Sequence, residues 1–290
     1  MGSLYGFDVK AELPLRRLNA AVGSRGELTI DVAREPLPAP RGEPVSTLVG
    51  DDGSRFYAAH ELDGRCLLEL PPSGEFLLDP AAVRVTVGLG DGDEALREHR
   101  IVSSAVCTLL AMRGDLVLHA SAVAVEGRAV LFCGPTGRGK STLALALGEA
   151  GHGVLGEDGM AIDLEPEEPI AYPGARGVRV RSLDAEGGRR TDLAADPAPS
   201  EPPPCPVAAV VLLGERGAAI AIESLPAARA LALLTPNLVH SGGRAAIAAA
   251  FGRLAQLLHT VPAFRASLPD DLDALPGAAT SLLDGVAGRD

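Results

Sequence analysis

The chain has 290 residues, enough to bury a large core without disulfide support. Hydrophobic residues make up 47% and charged residues 22%, which excludes a disordered tail or a collagen-like repeat. With 26 Lys and Arg against 38 Asp and Glu the formal net charge is −12, and there are only 3 Tyr, 6 Phe and no Trp. Both the charge and the shortage of stacking faces argue against a nucleic-acid partner.

In chain order, short apolar runs between turn signals predict strands at Glu27–Val32, Arg55–Leu62, Arg65–Leu70, Glu75–Leu78 and Val83–Val87. Asp63-Gly64 between two of them predicts a tight hairpin, because glycine accepts a positive φ at no steric cost. Arg34–Pro44 carries four prolines and reads as a connection. Residues 1–90 therefore read as a small β-rich N-terminal domain, and residues 91–290 as a second domain of α/β type. Asp93 to Met112 reads as one helix, with Ile101, Ala105, Leu109 and Met112 recurring three or four apart.

Leu116–Val125 and Ala129–Cys133 follow as strands joined by Glu126-Gly127-Arg128, and after a glycine-rich loop Ser141–Ala150 reads as a helix ending at Gly151. Val154-Leu155 begins another strand. Thr191–Pro206 holds six prolines in sixteen residues and predicts a loop or flap over 190–206. Val207–Leu213 is a buried strand by pattern, Pro226–Leu234 a helix and Arg244–His259 an amphipathic helix. The four cysteines form no CxxC pair and predict buried free thiols. With no signal peptide and no run of about 18 apolar residues, the expectation is a cytoplasmic chain without membrane contact.

The chemistry concentrates in Gly134-Pro135-Thr136-Gly137-Arg138-Gly139-Lys140-Ser141, which fits GxxxxGK[ST] between a predicted strand and a predicted helix, with Thr142 next in line. Glycines let successive N–H groups converge on phosphate oxygens, and the helix N-terminus adds partial positive charge there. Lys140 would reach the β- and γ-phosphates of ATP, and Ser141 would offer a hydroxyl to Mg²⁺. Glu157-Asp158 arrives seventeen residues after Lys140, at the end of a short apolar strand. At a frayed strand end both acids can turn to one phosphate, one near Mg²⁺ and the other near an attacking hydroxyl; a solvated acidic turn is the plain alternative. His119, at the end of the Leu116–Leu118 run, is either a core histidine or a group lining the phosphate site.

Taken together, Leu118-His119-Ala120-Ser121-Ala122-Val123, the loop GPTGRGKST and Gly151-His152-Gly153-Val154-Leu155-Gly156-Glu157-Asp158 resemble the catalytic domain of HPr kinase/phosphorylase. They look closer still to relatives encoded with ribosomal-peptide pathways, such as lasso-peptide precursor kinases. The resemblance implies a P-loop kinase core of the HPr kinase/phosphoenolpyruvate carboxykinase type, binding ATP and Mg²⁺ and passing a phosphoryl group to a serine-type hydroxyl. It implies Glu157 as base, Asp158 beside the metal with Ser141, His119 lining the transfer site, and an arginine serving phosphate or acceptor. Arg176, Arg179 and Arg181 are the candidates for that arginine, with Arg179 favoured.

The acceptor would be a peptide, a protein or a small molecule with a hydroxyl, and a homo-oligomer, dimer or hexamer, stays open. Glu157 stands where the family usually has aspartate, and the family's larger N-terminal domain and C-terminal acceptor signature are absent, so HPr itself is not the expected acceptor. A non-catalytic ATP sensor is the alternative outside enzymes. Ser241-Gly242-Gly243 resembles a transporter-ATPase signature, but no apolar strand ending in Asp-Glu follows it.

Overall fold

The computed structural model describes residues 2–20, 25–40, 42–49, 55–183, 189–193, 201–217, 220–240, 242–269 and 275–287. The first sheet is built from β1 (Gly2–Leu4), β2 (Phe7–Ala11), β3 (Glu27–Val32), β4 (Ser46–Val49), β5 (Arg55–Leu62), β6 (Arg65–Leu70), β7 (Gly74–Asp79) and β8 (Arg84–Leu89). Its spatial order is β1-β2-β3-β8-β7-β6-β5-β4, antiparallel except where β3 runs parallel to β2 and β8. Alternation sets its inner face, since Leu28, Ile30, Phe76, Leu78, Val85 and Val87 are all fully buried. The Asp63-Gly64 hairpin is as predicted, with φ of 49° and 78° giving the left-handed pair that a two-residue turn of right-twisted strands requires. β1, β2 and β4 were not among the predicted strands. Two of them have only three and four residues, and the sheet rather than local propensity holds them.

The single helix predicted over 93–112 is interrupted. α1 (Glu94–His99) starts at Asp93, whose carboxylate accepts the Leu96 N–H at 2.7 Å. A π-helical stretch covers Arg100–Ala105, and α2 (Val106–Arg113) ends at Gly114 with φ 110°. The apolar face still holds: Ile101, Val102, Ala105, Val106, Leu109 and Leu110 complete the core of the first sheet. Val117, Ala161 and Ala175 from later in the chain join the same core.

The second sheet takes β9 (Leu116–Leu118), β10 (Ala120–Val125), β11 (Arg128–Cys133), β12 (Gly153–Gly156), β13 (Met160–Asp163), β14 (Ile170–Ala171) and β17 (Cys205–Leu213). These run in the order β12-β10-β11-β17-β14-β13-β9. β19 (Ala263–Ser267) lies parallel to β17, and β18 (Ala221–Leu225) pairs with β19. β15 (Arg179–Leu183) and β16 (Arg189–Leu193) form a separate hairpin. α3 (Lys140–Glu149) and α6 (Leu275–Ala287) cover one face, burying Leu143, Leu147, Leu282 and Leu283. α4 (Ala227–Leu234) and α5 (Arg244–Thr260) supply Leu234, Leu254 and Leu257 to the core of the other.

Two strand predictions are corrected. Leu116–Val125 is not one strand, because the His119 N–H bonds to Asn237 O at 2.7 Å and the chain splits there: β9 pairs with β13, and β10 with β11 and β12. Nor is 190–206 one loop, because Thr191–Leu193 belongs to β16 and Cys205-Pro206 opens β17. Pro206 is tolerated because it begins the paired stretch. Residues 194–200 lie outside the described residues. None of the four cysteines is in a disulfide, and all are buried. Among the described residues no helix is long and apolar enough to cross a membrane.

Candidate functional site

β11 is buried along most of its length and delivers the glycine-rich loop onto α3. Gly134 has φ 139°, and a Cβ there would stand 2.9 Å from Leu213 O, so the loop's first turn needs glycine on two counts. Gly139 caps α3 at φ 99°. Lys140 is 7% exposed, and its ammonium donates to Gly134 O at 2.8 Å and Pro135 O at 3.3 Å, tucked under the loop. Pro135, Thr136 and Gly137 form the exposed crest of the loop, while Ser141 and Thr142 are half-buried in the first turn of α3. Arg138 reaches Glu215 at 3.6 Å near the surface.

Ser141 Oγ donates to Glu157 Oε1 at 2.7 Å. Glu157 is 6% exposed, and its second oxygen, Oε2, is buried with no hydrogen-bond partner. Burial, then the neighbouring Asp158 charge, push the Glu157 carboxyl up to about 7, against the easing effect of the Ser141 hydroxyl and Arg17. The acids lie in the bend between β12 and β13, and Asp158 has φ 71°, a left-handed conformation that non-glycine residues seldom adopt. That reversal lets consecutive acids face one region, which a regular strand would forbid.

Asp158 is held from two sides. His99 Nε2 lies 3.2 Å from Oδ2, and His119 Nδ1 lies 3.3 Å from Oδ1 and 2.8 Å from the Asp158 carbonyl. Burial works against ionisation of Asp158, but the His99 hydrogen bond and the nearness of His99, His119 and the Lys140 ammonium outweigh it and hold the carboxyl well below the usual carboxylate range. Burial likewise pulls His99 below the ordinary histidine range.

The sequence therefore placed the loop, the acid pair and His119 in one region, and the structure brings them together. It pairs Ser141 with Glu157 rather than with Asp158. Of the candidate arginines, Arg176 is tied to Glu201, the Arg181 side chain lies outside the described residues, and Arg179 acts electrostatically on His99 and Arg100.

Three site residues were not predicted. His99 sat inside a run read only for its apolar face; the polar i, i+4 pair His99/Ser103 on that buried run was the available signal. Arg17 comes from the N-terminal segment with no motif around it. Asn237, 6% exposed, donates to Gly134 O at 3.2 Å and His119 O at 3.4 Å, tying the loop to the histidine from the far end of α4.

The chain is thus of α/β class, with a GxxxxGK[ST] loop between a buried strand and a helix, beside two buried or half-buried acids. No family model and no curated protein matches it. Among solved structures it is similar to the HPr(Ser) kinase/phosphatase from Coxiella burnetii at 13% identity, with a TM-score of 0.32, covering 59% of this chain and 97% of that one. At that score the likeness adds nothing to the site.

Proposed function

We propose that the chain is an ATP- and Mg²⁺-dependent kinase that passes the γ-phosphoryl group to a serine-type hydroxyl of a peptide or protein acceptor. The observation that carries this reading is the Ser141–Glu157 hydrogen bond at 2.7 Å beside the buried Lys140, on a GxxxxGK[ST] loop. A buried carboxylate oxygen without a partner, next to a hydroxyl at a phosphate-binding helix N-terminus, fits a hard cation with oxygen ligands. Mg²⁺, when bound, would neutralise charge developing between the β- and γ-phosphates.

Ser141 and Glu157 would face that ion, and the loop amides with Lys140 would hold the phosphates. Asp158, oriented by two imidazoles, would accept the proton of the acceptor hydroxyl as its oxygen bonds to the γ-phosphorus and the bond to the β–γ bridging oxygen breaks. These roles for Glu157 and Asp158 are exchanged relative to those the sequence resemblance implies. The exchange is supported by the partner each acid has. The serine-type acceptor rests on the motif resemblance alone.

The test is incubation with γ-labelled ATP, Mg²⁺ and candidate precursor peptides, with free serine in parallel. Label in a peptide that disappears with Lys140→Ala is expected. Label in serine alone would make the chain a metabolite kinase, and ATP binding without label in any acceptor would make it a sensor.

A further inference from the structure

Arg17 is 5% exposed and lies between β2 and β3, far in sequence from the loop, yet its guanidinium fans out in three directions. Nε donates to Arg176 O at 2.6 Å, Nη2 to Gly177 O at 2.9 Å, and Nη1 lies 3.2 Å from His99 Nδ1. Its backbone is fixed as well: Arg17 N donates to Glu98 Oε1 at 2.8 Å, and Arg176 N donates to Arg17 O at 2.8 Å.

A guanidinium offers donors only, so His99 Nδ1 must be the acceptor in this pair. Ser103, also near Nδ1, spends its hydrogen on the His99 carbonyl at 2.6 Å and does not compete. His99 is thereby fixed with its proton on Nε2, the atom that meets Asp158 Oδ2 at 3.2 Å. Asp158 in turn sits in a left-handed backbone conformation that persists only where its surroundings over-determine it. Tyr5, also from the first sheet, braces the same bend by donating to Gly159 O at 3.0 Å.

We propose that Arg17 and His99 are positioning residues for phosphoryl transfer: Arg17 sets the tautomer of His99, and His99 aims the Asp158 carboxylate, so that the N-terminal segment is a working part of the reaction centre. The inference rests on the kinase reading for its kinetic effect. The tautomer that it requires can be read in the resting protein.

The experiment compares full-length wild type, His99→Ala, His99→Gln and Arg17→Met. Steady-state transfer and nucleotide affinity are measured for each, together with the ¹⁵N shifts of the His99 ring in wild type and Arg17→Met. Gln can donate to Asp158 from its amide and accept from Arg17, so it should keep kcat within about fivefold of wild type. His99→Ala and Arg17→Met should lower kcat at least about tenfold with ATP affinity within about twofold, since neither residue touches the glycine-rich loop. The ring should be neutral with a protonated Nε2 in wild type, and should become a tautomer mixture in Arg17→Met.

Three results overturn the proposal: a kcat for His99→Ala within twofold of wild type, a parallel loss of kcat and ATP affinity in every variant, or a wild-type ring protonated at Nδ1. If wild type transfers no phosphoryl group at all, the kinase reading fails, and the ring shifts still decide whether Arg17 sets His99.

Discussion

Glu157→Gln separates what this site costs from what it does. Glutamine keeps the shape and can still accept the Ser141 hydroxyl bond, but it carries no charge to bury. In the folded protein the carboxyl is pushed up to about 7, while in the unfolded chain it returns to its ordinary value of 4.5. The folded state therefore holds the proton more tightly. Its contribution to stability is fully present below pH 4.5 and is lost as pH rises to about 7, by up to about 3 kcal/mol at 1.36 kcal/mol per pH unit.

Urea unfolding of metal-free wild type and Glu157→Gln at pH 5, 6, 7 and 8 measures this directly, because titrating groups that do not interact with Glu157 cancel in the difference. The variant should gain on wild type steadily across the series and be the more stable protein at pH 8 by about 2–3 kcal/mol, while losing Mg²⁺-dependent transfer. Parallel stability profiles, or a variant less stable than wild type at pH 8, would refute the claim that burial raises this carboxyl.

Mg²⁺ with nucleotide should expel that proton. Calorimetry at pH 6 in two buffers of different ionisation enthalpy should show about one proton released per complex, and almost none at pH 8. Asn237→Ala removes a buried donor shared by Gly134 O and His119 O and should cost about 1–3 kcal/mol in urea unfolding while weakening ATP affinity; unchanged affinity would mean that the bridge does not shape the loop. A Cβ at Gly159 would stand 2.5 Å from Cys107 Sγ, so Gly159→Ala should destabilise by about 1–3 kcal/mol. Adding Cys107→Ala should recover part of that loss, and strictly additive effects in the double variant would show that the two atoms never meet.

Local spacing makes much of this legible in the sequence alone. The glycine-rich loop announces itself because its backbone requirements demand glycine at fixed steps, and the Asp63-Gly64 hairpin for the same reason. The acids at 157 and 158 were legible as a pair, but not their division of labour, which depends on a φ of 71° at Asp158 and on histidines from two other elements. Arg17, His99 and Asn237 were illegible for a common reason. Each reaches the site across tens of residues of chain, and apart from the His99/Ser103 pair nothing in its own neighbourhood marks it. The π-helical stretch after His99 was hidden too, because an apolar face survives one extra residue per turn without a visible break in pattern.

The split at His119 has a consequence for how this site can change. β9 and β10 occupy distant places in the strand order of the second sheet, yet only His119 joins them; β12 and β13 are likewise separated in that order and joined only by Glu157-Asp158-Gly159. The sheet therefore curls until its two ends meet, and the acids and the histidine sit on the seam. A seam stitched by links of one and three residues has no slack. One inserted residue beside His119 would turn every inward side chain of Ala120–Val125 outward or force a bulge. Side chains here can be exchanged one at a time, but the lengths cannot, so new chemistry at this position is open to substitution and closed to insertion or deletion.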